Sequence, residues 1–182
     1  MLGLLSWLVT TPRRAAQSTV FAALIAVLAA GHFYVISALS EFWIDAYARE
    51  LEIVGDVEQH LGAPEPKTTL MLAGICSYNG PAVVFEADWD LSGALRLHYG
   101  DRTLSADVLR PGAYEVTRSG IATILYEGED DYDFGSWLIM YDYRHKTTHA
   151  LTDRETVLDL FKATNLDAHC PPGGEGVGVR VF

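Results

Sequence analysis

The chain has 182 residues, 20% of them charged, with a formal net charge of −11. That length allows one domain of ordinary size beside a membrane segment. The acidic balance argues against nucleic acid and anionic headgroups as surface partners, because both demand a positive face.

Met1 to Thr10 is nearly all apolar and too short to span a bilayer. With Trp7 in it, the segment fits the membrane surface or the side of a neighbouring membrane helix. Ala15 to Ser40 then runs for 26 residues without Asp, Glu, Lys or Arg. As a helix it reaches roughly 39 Å, enough to cross a hydrocarbon layer of about 30 Å with some tilt. Arg13 and Arg14 precede it, whereas residues 41–182 hold 11 basic and 24 acidic residues, a balance of −13. The positive-inside tendency therefore predicts a cytoplasmic N-terminus and a periplasmic or extracellular domain. A cleaved signal peptide is the rival, given the small residues from Ala26 to Gly31; apolar character continuing from Phe33 to Leu39 favours an uncleaved anchor. Ala22, Ala26, Ala29 and Ala30 allow close approach of another membrane helix along one side.

Beyond Ser40 the helical period persists. Trp43, Tyr47, Leu51 and Val54 recur at intervals of four, four and three, with Glu41, Asp45, Arg49, Glu52 and Asp56 as a polar stripe. Phe42, Trp43 and Tyr47 suit a membrane interface, where a ring can be half wet. One helix from near Ala15 to near Leu61, with a soft spot at Gly55, is the simplest reading. Pro64 and Pro66 end it.

From Lys67 to Arg144 the period switches to two. Val83, Phe85, Ala87, Trp89 and Leu91 alternate with Val84, Glu86, Asp88 and Asp90, which predicts a half-buried strand; Leu95, Leu97 and Tyr99 repeat the pattern. Further strands are predicted at 69–78, 103–109, 113–117, 121–126 and 136–143, with turns at Asn79-Gly80, Ser92-Gly93, Gly100-Asp101, Pro111-Gly112 and Ser119-Gly120. Connections this short favour antiparallel pairing. Thr152 and Glu155 read as a capping box opening a helix that buries Val157, Leu158, Leu160 and Phe161 and ends near Asn165. The predicted fold is thus α+β: residues 1–14 as an interfacial segment, 15–40 as a transmembrane helix, 41–66 as an amphipathic stalk with a Pro linker, and 67–182 as a small antiparallel barrel or sandwich of about seven strands with one C-terminal helix.

Chemistry is sparse. Cys76 and Cys170 are the two cysteines, and in an oxidising compartment they are expected to pair. His145 and His149 have the spacing of a helical metal pair but sit in a strand end and turn without an obvious third ligand. Glu127, Glu129, Asp130, Asp131 and Asp133 crowd what reads as a turn, a weak calcium candidate whose spacing does not fit an EF-hand. His32 lies inside the apolar run, where a polar group tends to face a partner. No nucleophile elbow, phosphate loop or dinucleotide fingerprint is present. These features predict a non-catalytic single-pass accessory or scaffold subunit of a multi-protein membrane complex of respiratory, photosynthetic or secretion type. It needs no cofactor, contacts the bilayer and other integral membrane subunits, and forms part of a hetero-oligomer. The alternative is a membrane-anchored barrel that holds an apolar ligand or pigment.

Overall fold

The structure, a computed structural model, describes residues 14–125 and 128–164, and the side chains of all of these except 14–17, 125, 128 and 129. Trp7, Glu127 and Cys170 lie outside the described residues. The chain divides into two units, Met1–Glu41 and Phe42–Phe182. Helix α1, Arg14–Leu61, contributes to both and passes through Gly55 without a break.

In the first unit α1 carries large apolar side chains that no other described residue covers: Val20, Leu24, Val27, Leu28, Phe33, Val35, Ile36 and Leu39 are all exposed. At helical spacing Val20, Leu24, Val27, Leu28, Val35 and Leu39 fall on one side, while Ala22, Ala26 and Ala29 fall on the opposite side, interrupted by Phe33. The polar side chains bond back to their own helix. His32 Nδ1 lies 3.1 Å from the Leu28 carbonyl, and the Ser40 hydroxyl donates to the Ile36 carbonyl at 2.7 Å. An apolar surrounding would favour this self-satisfaction.

The second unit is built on a mixed sheet. Its strands are β1 (Thr69–Ala73), β4 (Ser105–Val108), β8 (Leu138–Asp142) and β9 (Thr147–Ala150), in the order β4-β1-β8-β9. Contrary to the expectation of antiparallel pairing, β1 is parallel to both neighbours, with Thr69 opposite Ser105 on one side and Leu138 on the other. The connection that permits this is a helix. Residues expected as two strands form α2, Asp88–Tyr99, which closes on Gly100 at φ 68°. Asp90 opens it: its carboxylate accepts the Glu86 and Ala87 amide N–H groups at 2.7 and 3.1 Å. Ser92 of α2 accepts the Ala106 N–H at 2.7 Å and donates to the Ala106 carbonyl at 2.9 Å, so the edge strand β4 is satisfied by a helix side chain.

A short hairpin, β2 (Tyr78–Asn79) with β3 (Ala82–Val83), lies between β1 and α2. An antiparallel sheet of β5 (Tyr114–Val116), β6 (Gly120–Leu125) and β7 (Gly128–Asp133) lies between β4 and β8. Helix α3, Arg154–Thr164, follows β9. Its N-cap is Asp153 rather than Thr152, since Asp153 Oδ1 accepts the Thr156 N–H at 2.9 Å. Val157 and Phe161 are its buried residues, while Leu158 and Leu160 are half-buried.

The parallel strands explain the missing barrel. Leu70 and Leu72 pack into one core with Ala46, Ile53, Val54 and Val57 of α1 and Leu91 and Leu95 of α2. Met71 and Ala73 face the other way, into a core with Ile121 of β6 and Val157 and Phe161 of α3. Strand β1 is therefore buried on both faces, and the sheet is the middle layer of a three-layer sandwich. The fold is α+β as expected, but among the described residues the strands form three open sheets and no closed barrel.

Candidate functional site

Three places in the second unit gather functional side chains. The first lies between helix α1 and the β8–β9 hairpin. Asp56 Oδ2 accepts the Tyr141 hydroxyl at 2.5 Å and the Lys146 ammonium at 2.7 Å, while His60 Nδ1 stands 3.6 Å from Asp56 Oδ1. Burial raises the Asp56 pKa, but the hydrogen bonds and charges of Lys146 and Tyr141 outweigh it and hold the carboxyl below the usual carboxylate range. The Tyr143 hydroxyl donates to Glu52 at 3.1 Å, and Lys146 Nζ sits 3.5 Å from the Tyr143 ring centroid. Burial, then Glu52, push the Tyr143 phenol up to about 12. His98 Nε2 lies 3.0 Å from Glu58. The contacts of Asp56 with Tyr141 and Lys146, of Glu52 with Tyr143 and of Glu58 with His98 join α1 to other elements and clamp the helix to the domain.

The second is a small acidic cleft lined by Glu86, Asp88, Asp107, Arg110, Thr123 and Asp130. Its volume of ≈ 10 Å³ suits about one water and no organic substrate. Asp107 is 4% exposed, and its Oδ2 accepts the Thr123 hydroxyl at 2.5 Å and the Tyr132 hydroxyl at 3.1 Å. Burial raises its pKa despite those donors. Arg110 Nη1 pairs with Glu86 at 3.3 Å, and the Tyr78 hydroxyl also donates to Glu86. Each of these buried acids thus has partners within the protein. The expected acidic turn is strand β7 instead, pairing Asp131 with Ala122 and Asp130 with Thr123. Strand alternation puts Asp130 on the Tyr132 side and Asp131 and Asp133 on the other, so the carboxylates do not converge. Among the described residues no group of three His, Cys, Asp or Glu is placed to hold a metal ion.

At the end of β8, Asp142 is buried and accepts the Arg144 and His145 N–H groups through Oδ1 at 2.9 and 3.2 Å. Its Oδ2 lies 2.7 Å from His145 Nδ1. His149 contacts Thr147 at 2.9 Å, so the two histidines that share a metal-pair spacing have separate partners.

The third place is the exposed flank of α1. Of the predicted apolar stripe, Val54 alone is buried; Trp43, Tyr47 and Leu51 are 54, 61 and 56% exposed, and Ile44 is 66% exposed. Besides Val54 the domain takes Ala46, Ile53 and Val57, which lie on the adjacent side of the helix. The apolar sector is wider than the domain beneath it. Phe42 turns towards the β2–β3 hairpin, where a Cβ on Gly80 would stand 2.7 Å from its ring, and its carbonyl accepts the Asn79 side-chain amide at 3.4 Å. On the opposite side of the helix Asp45, Ala48, Arg49 and Glu52 line an open groove of ≈ 370 Å³ with Asn79.

Among the described residues one helix is long and apolar enough to cross a membrane, with a mean hydropathy of 2.1 over its most apolar window and none of that window buried. Comparison with protein-family models, curated proteins and solved structures gave no match.

Proposed function

We propose that the chain is a non-catalytic, single-pass membrane accessory subunit, with its N-terminus in the cytoplasm and the sheet domain on the far side of the bilayer. The observation that carries this reading is the charge-free stretch of α1. Its large side chains are exposed along the whole run, and water is a poor solvent for so much contiguous apolar surface. The flanking charge supports the orientation: Arg13 and Arg14 before the run, a balance of −13 after it. Ala22, Ala26, Ala29 and Ala30 supply a side that another membrane helix can approach closely, while the larger side chains opposite face lipid. The buried acids of the domain are spent on internal hydrogen bonds and a helix cap, which supports a structural over a catalytic role.

The test is purification of the full chain in a mild detergent from its own membranes, followed by mass spectrometry of co-purifying chains at native expression. Stoichiometric recovery with integral membrane proteins is the expected result. A monodisperse monomer would overturn the subunit reading, and release from membranes by alkaline wash would overturn the anchor.

A further inference from the structure

We infer that the groove between α1 and the β2–β3 hairpin, lined by Asp45, Ala48, Arg49, Glu52 and Asn79, holds a phosphoethanolamine headgroup of the bilayer that α1 crosses. The inference deepens the membrane-anchor reading and rests on it. The groove has a volume of ≈ 370 Å³, within the range of small-ligand sites, and Ala48 leaves room in it by carrying a single side-chain carbon. Its walls hold both signs of charge. Arg49 stands one helical turn from Asp45 on one side and from Glu52 on the other, spacings at which ion pairs ordinarily form. Among the described residues it forms an ion pair with neither.

Depth points to a lipid as the source of the ligand. Asp45 stands about 7.5 Å beyond Ser40, the end of the charge-free run, at the helical rise of about 1.5 Å per residue. Trp43 and Tyr47, rings suited to a membrane interface, flank it in sequence. The Asn79 side-chain amide lies at the same level, 3.4 Å from the Phe42 carbonyl. Side chains of a helix lean towards its N-terminus, which brings the Arg49 guanidinium towards the bilayer.

Charge selects the headgroup. A phosphate takes N–H donors from Arg49 and Asn79. Asp45 accepts N–H bonds from a primary ammonium, as does the Glu52 oxygen that Tyr143 does not occupy, and a quaternary choline ammonium has none to give. A headgroup of net negative charge meets two carboxylates here, in a region of 24 acidic against 11 basic residues from 41 to 182, and is repelled.

Lipid retention by the full chain tests this. The chain is purified in a mild detergent, given an equal mixture of phosphatidylethanolamine, phosphatidylcholine and phosphatidylglycerol, and weighed intact by native mass spectrometry. The expected adduct is phosphatidylethanolamine, favoured about fivefold over either rival. Arg49→Gln should lower that adduct by about tenfold and Asp45→Asn by about threefold. Ala48→Leu, which fills the groove without changing its charge, should lower it by about tenfold as well. Asp131→Asn, on β7 and outside the groove, should leave it unchanged. Equal retention of the three lipids, preference for either rival, or an adduct unmoved by both Arg49→Gln and Ala48→Leu overturns the inference. Soluble phosphoethanolamine held as tightly as the lipid overturns the bilayer as the source. Circular dichroism identifies any variant that fails to fold. Alkaline extraction of the native membranes separates the two readings: release of the chain defeats the anchor, whereas a retained chain without lipid preference defeats the groove alone.

Discussion

The Tyr141 hydroxyl reaches Asp56 Oδ2 at 2.5 Å across 85 residues of chain, and it ties the second half of α1 to the central sheet. Lys146 completes the pair at 2.7 Å. Replacing the carboxylate with an amide removes the charge that both donors share. Asp56→Asn is expected to cost about 1–2 kcal/mol at pH 7, the range for a charged hydrogen bond at a part-buried site. Because the folded pKa of Asp56 is lowered, its contribution is present above the ordinary carboxylate pKa and fades as pH falls through the folded value. Chemical denaturation at pH 7 and at successively lower pH should show a flatter acid limb in the variant than in the parent.

Tyr143 behaves oppositely at the alkaline end. Its phenol is pushed up to about 12 from the ordinary value of 10.0, so the contact with Glu52 contributes below pH 10 and is lost as pH rises through about 12. Absorbance titration should show one tyrosine ionising near the top of that window, and Tyr143→Phe should remove it.

Among the described residues the buried Tyr99 hydroxyl has no hydrogen-bond partner. Tyr99→Phe is expected to be neutral or to stabilise by about 1 kcal/mol, since an unsatisfied group leaves the interior. A midpoint in denaturant below the parent's would contradict this.

Gly74 adopts φ +78°, and a Cβ there would stand 3.0 Å from Asp142 Oδ1 and 3.2 Å from the Arg144 N. Gly74→Ala should therefore cost about 1–3 kcal/mol and loosen the β8–β9 turn. Faster amide exchange at Arg144 and His145 would report that loosening directly.

Cys76 follows β1, and its proposed pairing with Cys170 predicts that neither thiol reacts with an alkylating reagent in the denatured chain until a reductant is added. Mass spectrometry of the alkylated chain before and after reduction reads this out.

Helices α1 and α3 and the α+β class were legible in the sequence, and α2 was not. α1 announced itself through composition and the two prolines after Leu61. α2 was hidden because residues 83–99 satisfy two periods at once: Val83, Phe85, Ala87, Trp89 and Leu91 alternate, while Ala87, Leu91 and Leu95 also recur every four. The deciding signals were present: Asp88 and Asp90 in the first turn, Arg96 and His98 in the last, and Gly100 after it. Once 88–99 is a helix, a crossover long enough for parallel pairing exists, and the barrel expectation loses its ground. Thr-Leu-Met-Leu-Ala in β1 is the mark of a strand covered on both sides, in contrast to the half-wet alternation expected of a barrel wall. The exposed flank of α1 was harder to read. A helical stripe shows which residues are apolar, and only the packed domain shows that Ala46, Ile53 and Val57 are covered while Trp43, Tyr47 and Leu51 are left outside.

The position of β1 between two parallel neighbours also governs how the domain assembles. Thr69 must wait for Ser105 on one side and for Leu138 on the other, so the first strand made is completed by one of the last. Local hairpins such as β6–β7 can close early, but the central ladder forms only after loop-closure entropy has been overcome across most of the domain. Folding should be slow relative to a local hairpin meander, and a chain truncated before Leu138 should leave β1 half-paired and exposed to aggregation.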